Sequence, residues 1–386
     1  MDLIGPTYEL TPKESAVLAS LSVVSGEFVS YSTLLDDVWP DQDIGISSLN
    51  RCICTLRQKL ASGVKIRTHS RRGYSLSIAG QKQPNSTGVL VANLVDQARE
   101  TLGLRLNANI QTAIRLLQEA IRLDPNFVPA QLHLAEVYGL AASRGYMPPR
   151  LASQLARDAL APLLQSEQDN AHALSLDGRL RILIDGDVTG RANIGRAAEL
   201  APNDWLVMTN VGIAKTGLGD LAGAIADCER ALTLNPAAPG AIVALGWSLF
   251  CSGDFKRAGK LLEDAMGFLP NQDYFPLVLS YVQSSLMMHT AAIVAARRAL
   301  ALSGGDANAR AALVCALALA GKEAEARREI QRLRTGKQPL QSPTLLGRGL
   351  LVLEGPEALK ASRREAEVQG CPYRFMAIHD PQLAIP

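Results

Sequence analysis

Aromatic residues are scarce in this 386-residue chain, at 5%. That argues against a β-sandwich, whose strands favour aromatic and β-branched side chains, and suits an Ala/Leu-rich helical protein. Charge of one sign is also lacking: 39 basic residues stand against 37 acidic ones. A globally basic nucleic-acid coat and an acidic solvating tail are both excluded, so any basic site must be local. Cysteines are few and scattered (Cys52, Cys54, Cys228, Cys251, Cys315, Cys371), with no CxxC pair, so neither a structural zinc site nor a disulfide framework is expected. The five histidines show no metal-ligand spacing, and no Ser/His/Asp set or glycine-rich phosphate loop stands out. No catalytic residue, metal or cofactor is therefore expected, and the chain reads as a non-enzyme. The longest apolar run, 311–321, is about half the ~20 residues that a membrane span needs. The first residues lack a basic stretch followed by an apolar one, so no secretory leader and no membrane attachment are expected, and the cytoplasm is the expected location. What is present is 47% hydrophobic and 20% charged, the balance of an ordered globular protein, long enough for two or three domains at roughly 100–200 residues each.

An internal period organises the larger part. Pro202, Pro236 and Pro270 recur every 34 residues, and the same step relates Gly212 to Gly246, Gly219-Asp220 to Gly253-Asp254, Ala224 to Ala258 and Ala292, and Ala231 to Ala265 and Ala299. Such a unit reads as two helices with a Gly-Asp turn between them, small residues where they pack closely and proline past the second helix. It resembles the tetratricopeptide (TPR) repeat. Extending the frame places units at 94–127, 128–170, 171–204, 205–238, 239–272, 273–306 and 307–340, with a C-terminal cap after Pro343. The surplus of unit 128–170 falls in 143–149, read as a protruding loop. Trp247 and Tyr281 stand 34 apart on first helices, where such superhelices line their concave groove, and His172, Arg179, Phe250 and Tyr274 are candidates to join them. Two readings stay open for these six, a peptide or small-ligand groove and ordinary packing between helices.

Residues 79–88 are polar and rich in turn formers. They divide an N-terminal domain, 1–80, from a linker, 81–90, and the repeats, 91–386. The N-terminal domain opens with a short strand near 8–10. Thr11-Pro12-Lys13-Glu14 then forms a capping box with proline at the first helical position. A second helix, capped by Ser30, covers 30–39; a third covers 46–61; strands at 65–69 and 74–78 follow, joined by Ser70-Arg71-Arg72-Gly73. Three helices and a hairpin make a winged helix. The fold expected overall is mostly α, a small α/β winged helix-turn-helix domain followed by an α-solenoid of TPR-like hairpins.

At 100° per residue the third helix gathers Leu49, Ile53, Leu56 and Leu60 on its core stripe. Ser47, Arg51, Cys54, Thr55 and Gln58 lie opposite. Cys52 and Cys54, one residue apart, point about 200° apart and share no metal or disulfide; Cys52 reads as packing. Residues 51–72 hold seven basic side chains and no acid, while 1–50 hold eight acids against Lys13. A positive end coinciding with the third helix and the wing is what a helix in the major groove and a wing on the adjoining backbone require.

Leu10-Thr11-Pro12-Lys13-Glu14, Val38-Trp39, Leu56-Arg57-Gln58-Lys59-Leu60, Ile66-Arg67-Thr68 and Arg72-Gly73-Tyr74-Ser75-Leu76 resemble the OmpR/PhoB-type winged-helix DNA-binding domain. The resemblance implies that Ser47, Ser48, Arg51, Thr55 and Arg57 face DNA from the helix and Thr68, Arg71, Arg72 and Tyr74 from the wing. It also implies that the 40–45 loop, with Pro40, Asp41 and Asp43, faces RNA polymerase. That family usually has several strands before its first helix, and here about ten residues are available, so an abridged sheet is expected. No receiver domain is seen, and ordinary phosphorelay control is not expected. A winged helix joined to helical repeats is similar in plan to the HilA-like regulators. The implied function is a sequence-specific bacterial transcriptional regulator, in the sense of an activator, on double-stranded promoter DNA. It would bind as a homodimer or in tandem, with the repeats taking a peptide, protein or small ligand. The alternative is an interaction scaffold whose winged helix docks protein rather than DNA.

Overall fold

The computed structural model describes residues 4, 8, 10–23, 28–39, 46–61, 63–69, 73–78, 86–104, 106–335, 342–380 and 383. The chain divides into two compact units, one of residues 1–94 with 122–125, the other of 95–121 with 126–386.

In the first unit, α1 (Pro12–Val23) starts at the expected capping box. The Thr11 amide donates to Glu14 Oε2 at 2.8 Å and the Glu14 amide to Thr11 Oγ1 at 3.3 Å, so two donors left orphaned by the helix start are satisfied reciprocally. Strand β1 (Phe28–Ser30) leads directly into α2 (Tyr31–Val38), whose N-cap Ser30 accepts from the Thr33 amide. Helix α3 (Ile46–Lys59) and the hairpin of β2 (Val64–His69) and β3 (Gly73–Ile78) follow. The sheet is antiparallel in the order β1-β3-β2, with Val29 opposite Tyr74 and Ile66 opposite Leu76. Tyr8 and Leu10 belong to no strand, contrary to expectation; Ile4 instead makes a single bridge to Leu60. The third strand of the sheet is β1, only three residues long and too short to show the alternation by which strands are read. Gly73 is obligatory there, because a Cβ would collide with the Val29 carbonyl across the β1-β3 ladder.

The core of this unit gathers Val17 and Leu21 of α1, Leu34 of α2, Leu49, Ile53 and Leu56 of α3, and Ile66 and Leu76 of the hairpin. Leu49, Ile53 and Leu56 are fully buried, which contributes roughly 1.5–3 kcal/mol each and fixes which face of α3 looks outward.

The second unit is built of helical pairs. After α4 (Ser86–Leu104) and α5 (Leu106–Leu123), the pairs are α6 (Val128–Arg144) with α7 (Pro149–Ser166), and α8 (Ala171–Leu180, extended by a π-helical turn Arg181–Asp185) with α9 (Gly190–Leu200). Next come α10 (Trp205–Leu218) with α11 (Leu221–Leu234), α12 (Pro239–Ser252) with α13 (Phe255–Phe268), and α14 (Tyr274–Ser285) with α15 (His289–Leu302). The last are α16 (Ala307–Leu319) with α17 (Glu323–Thr335), α18 (Pro343–Glu354) with α19 (Pro356–Gln369), and a terminal α20 (Arg374–His379). Helices α4 and α5 run across the division between the units.

The 34-residue period has a direct physical basis. Gly219 and Gly253 end α10 and α12 at φ +81° and +82°, and the following Asp220 and Asp254 cap α11 and α13 by accepting from the Gly223 and Arg257 amides. Each Gly-Asp pair thus closes one helix and opens the next. A Cβ at Gly212 would strike Cys228 Sγ, so α10 and α11 meet at a contact only glycine permits. Ala224, Ala258 and Ala292 are fully buried at equivalent places.

The 143–149 segment does not protrude. Helix α6 continues to Arg144, and the Ser143 carbonyl accepts from Tyr274 Oη at 3.1 Å and Asn308 Nδ2 at 2.8 Å. Arg144 is buried, paired with Asp273 at 2.5 Å and set 4.0 Å from the centre of the Tyr274 ring. The end of α6 is therefore held by α14 and α16, more than a hundred residues downstream, and the surplus length is taken up by a longer α6 and α7.

Candidate nucleic-acid interface

With its apolar stripe buried, α3 presents Ser47, Ser48, Asn50, Arg51, Cys54, Arg57 and Gln58 as exposed side chains and Thr55 as half-buried. The Thr55 hydroxyl donates to the Arg51 carbonyl at 2.9 Å, a bond within the helix that costs no partner elsewhere. Ser47, Ser48, Arg51 and Thr55 thus share the surface on which the sequence places them.

Arg57 behaves differently. Its Nε and Nη2 donate to the Ile66 carbonyl at 3.1 and 2.9 Å, and Nη2 also donates to Thr68 Oγ1 at 2.6 Å. Its guanidinium lies 5.8 Å from the centre of the Tyr74 ring. Arg57 and Thr68 are therefore spent on one another, locking α3 to β2. Tyr74, expected to face DNA from the wing, is buried instead; its hydroxyl donates to Asn50 Oδ1 at 2.6 Å and its ring meets Tyr31 edge-on at 5.6 Å. The cause is register: pairing with Val29 on the central strand β3 turns Tyr74 inward. Burial, with Tyr31 beside it, raises the Tyr74 phenol above its ordinary value.

The positive charge is likewise sorted by the fold. Lys59 pairs with buried Glu14 at 2.7 Å. Burial would raise the Glu14 carboxyl, but the bonds from Lys59 and Thr11 outweigh it and hold the carboxyl below its ordinary value. Lys13 donates to the Val38 carbonyl at 2.6 Å and sits over the Trp39 ring, closing the end of α2. Among the described residues of α3, β2 and β3 the exposed cations are Arg51, Arg57, Lys65 and Arg67, the last two on the outward face of β2, where the alternation of Val64, Lys65, Ile66 and Arg67 announces them. Asn50 was not singled out by its pattern; its role as anchor for Tyr74 has no local sign in the sequence. Pro40, Asp41, Asp43, Arg71 and Arg72 lie outside the described residues.

In the repeat unit the six groove candidates separate. His172 pairs with Asp204 at 3.0 Å near the surface. Phe250 and Tyr281 are fully buried, Phe250 under the Arg348 guanidinium and Tyr281 donating to the Leu345 carbonyl at 2.5 Å. Trp247 is 1% exposed and packs on Phe250, Tyr281, Tyr373 and Phe375. Tyr274 is also buried, bonded to Ser143 and Tyr373. The aromatic stripe is thus core rather than open groove, because the chain end folds back over it: Arg374 donates to the Ile182 carbonyl at 2.7 Å and Asp380 pairs with buried Arg348. Arg179, Trp247 and Tyr274 still contribute to the wall of a cavity beneath that segment. Among the described residues no three His, Cys, Asp or Glu side chains come together as a metal site would require, and no helix is long and apolar enough to cross a membrane.

Residues 5–76 match the family described as "Transcriptional regulatory protein, C terminal". These residues form an OmpR/PhoB-type winged-helix domain. Over 52 residues the chain is 50% identical to the transcriptional regulator HilA of Salmonella typhimurium and 48% to that of Salmonella typhi. That stretch amounts to 14% of this chain and 9% of the relative, so the likeness spans less than a tenth of those proteins. For the helical part, a chain of the APC/C hetero-tetramer Cut9–Hcn1 superimposes with a TM-score of 0.51 at 14% identity, covering 76% of this chain and 55% of that one, which shows the fold alone. A tetratricopeptide repeat protein from Parabacteroides merdae also matches, with a TM-score of 0.36 at 14% identity over 72% of this chain and 93% of that one.

Proposed function

We propose that the protein is a sequence-specific DNA-binding transcriptional regulator that reads the major groove with Ser47, Ser48, Arg51 and Thr55 of α3. The observation carrying this reading is the outer face of α3, which is polar, basic and free of acid, backed by the fully buried Leu49, Ile53 and Leu56 that give it a rigid base. Lys65 and Arg67 on β2, together with Arg71 and Arg72 beyond it, supply the phosphate contacts. We assign 40–45 to contact with polymerase, which makes the protein an activator, and the repeats to partner binding or dimerisation.

The test is selection from a randomised duplex library with the purified full chain. A defined motif is expected, and Arg51→Ala should lose about 1–3 kcal/mol of discrimination at one base pair, as a bidentate arginine–guanine contact would. Arg67→Ala should weaken binding to all sequences alike and lower its salt dependence. If no duplex is preferred over random competitor at any salt concentration, the reading is wrong.

A further inference from the structure

Beneath the returning chain end, the second unit holds a partly open cavity of about 410 Å³, within the range of small-molecule sites. Its walls come from α6, α8 with its π-helical turn, α10, α12, the start of α14 and residues 372, 373 and 375. The chain has only seven Phe, eight Tyr and three Trp, yet Trp205, Trp247, Tyr274, Tyr373 and Phe375 all line this one space. Leu140, Leu183, Ile213 and Val243 complete an apolar, ring-rich lining.

Two arginines line the same cavity, and they differ in one respect. Arg144 is neutralised by Asp273 at 2.5 Å. Arg179 has a neutral partner, the Asn210 amide oxygen at 2.8 Å, and that amide is itself fixed by donating to Ser175 Oγ at 3.1 Å. No carboxylate of the described residues forms an ion pair with Arg179, and the acid nearest in influence, Glu136, is engaged by His133 at 2.8 Å. Gly139 leaves room for the guanidinium, since a Cβ there would lie 3.0 Å from Arg179 Nη2. Burial pulls the Arg179 guanidinium below its ordinary value, and the opposing pull of Glu136 does not offset it. The indole N–H of Trp247, in the same wall, is buried without a hydrogen-bond partner. Uncompensated buried donors are costly, and a guanidinium in apolar surroundings is complementary to a carboxylate.

We propose that this cavity is a binding site for a small aromatic carboxylate, with the acid group on Arg179 and the ring among Trp205, Trp247, Tyr274, Tyr373 and Phe375. Charge and shape each select: the unmatched guanidinium asks for an anion, and the aromatic walls ask for a flat apolar body. Carboxylate binding would restore to Arg179 the counter-charge that Asp273 already gives Arg144.

Calorimetric titration of the full chain with 1-naphthylacetate, in the absence of DNA, tests this directly. Saturable one-site binding is expected. The neutral analogue 1-naphthaleneethanol should bind at least tenfold more weakly. Arg179→Gln should lower the affinity for the acid at least tenfold while leaving that for the alcohol unchanged. Val243→Trp, which fills the cavity and leaves Arg179 untouched, should abolish both. Thermal melts establish that each variant is folded, and Val243→Trp decides if Arg179→Gln is not. Absence of binding, equal affinity for acid and alcohol, or binding indifferent to both substitutions overturns the proposal. Because no DNA is present, failure here leaves the DNA-binding reading standing, and failure of that reading leaves this one standing.

Discussion

Replacing Arg57 separates a residue that reads DNA from one that holds the reading helix in place. Its three donated hydrogen bonds, two to the Ile66 carbonyl and one to Thr68 Oγ1, tie α3 to β2. A bond from a charged donor contributes ~1.5–3 kcal/mol when well shielded, but Arg57 is exposed and two of its bonds share one carbonyl. The net loss in Arg57→Ala should therefore be about 1–2 kcal/mol. For a domain of this size each kcal/mol lowers the melting temperature by about 4–8 °C. Differential scanning calorimetry of the full chain should show the transition of the first unit move down while that of the repeats stays put. Arg57→Lys keeps the charge but lacks the planar fork that bridges Ile66 and Thr68, so it should lose most of the same stability while retaining general affinity for DNA. The reasoning fails if Arg57→Ala leaves melting unchanged and instead erases preference at a single base pair, since Arg57 would then be a reader that leaves Ile66 when DNA binds.

Three further outcomes follow from the contacts described. Glu14 titrates below its ordinary value of 4.5 in the folded chain, so its contribution is complete above that pH and is lost as the pH falls through the lower folded value; Glu14→Gln should flatten the acid limb of the melting profile below pH 4.5. Gly73→Ala drives a Cβ into the Val29 carbonyl and should separate β1 from β3, read as lost amide-exchange protection at Val29 and Tyr74 with the repeat unit unaffected. Asp380→Ala leaves Arg348 buried without its carboxylate and should cost the repeat unit about 3–5 kcal/mol in urea unfolding, whereas an unchanged midpoint would mean that the chain end adds nothing to stability.

Much of the fold could be read before the structure, and the readable parts have a common property. The capping box at Thr11–Glu14, the apolar stripe of Leu49, Ile53 and Leu56, and the Gly-Asp turns at Gly219 and Gly253 are each complete within a few residues of chain. The 34-residue period adds only repetition of such local units. The misread elements lack that property. β1 is three residues long, and 143–149 has the composition of a loop although Ser143 is held by Tyr274 and Asn308 from far along the chain.

The sequence by itself determined the order of the helices, the outward face of α3, the net charge of the region around it and the repeat architecture, because helix caps, amphipathic periods and close-packing glycines act between neighbours. Only the tertiary structure decided which charges remain available and which aromatics remain exposed. Lys59 is taken up by Glu14 from 45 residues away, Arg57 by β2, and Tyr74 by Asn50. Trp247, Phe250 and Tyr281 have the spacing of a groove, yet the segment holding Tyr373 and Asp380 covers them, anchored by Arg374 to a carbonyl 192 residues earlier. Periodicity specifies the face of a helix on which a side chain lies; what comes to rest against that face depends on where the chain returns, and that is set by packing over distances no local pattern encodes.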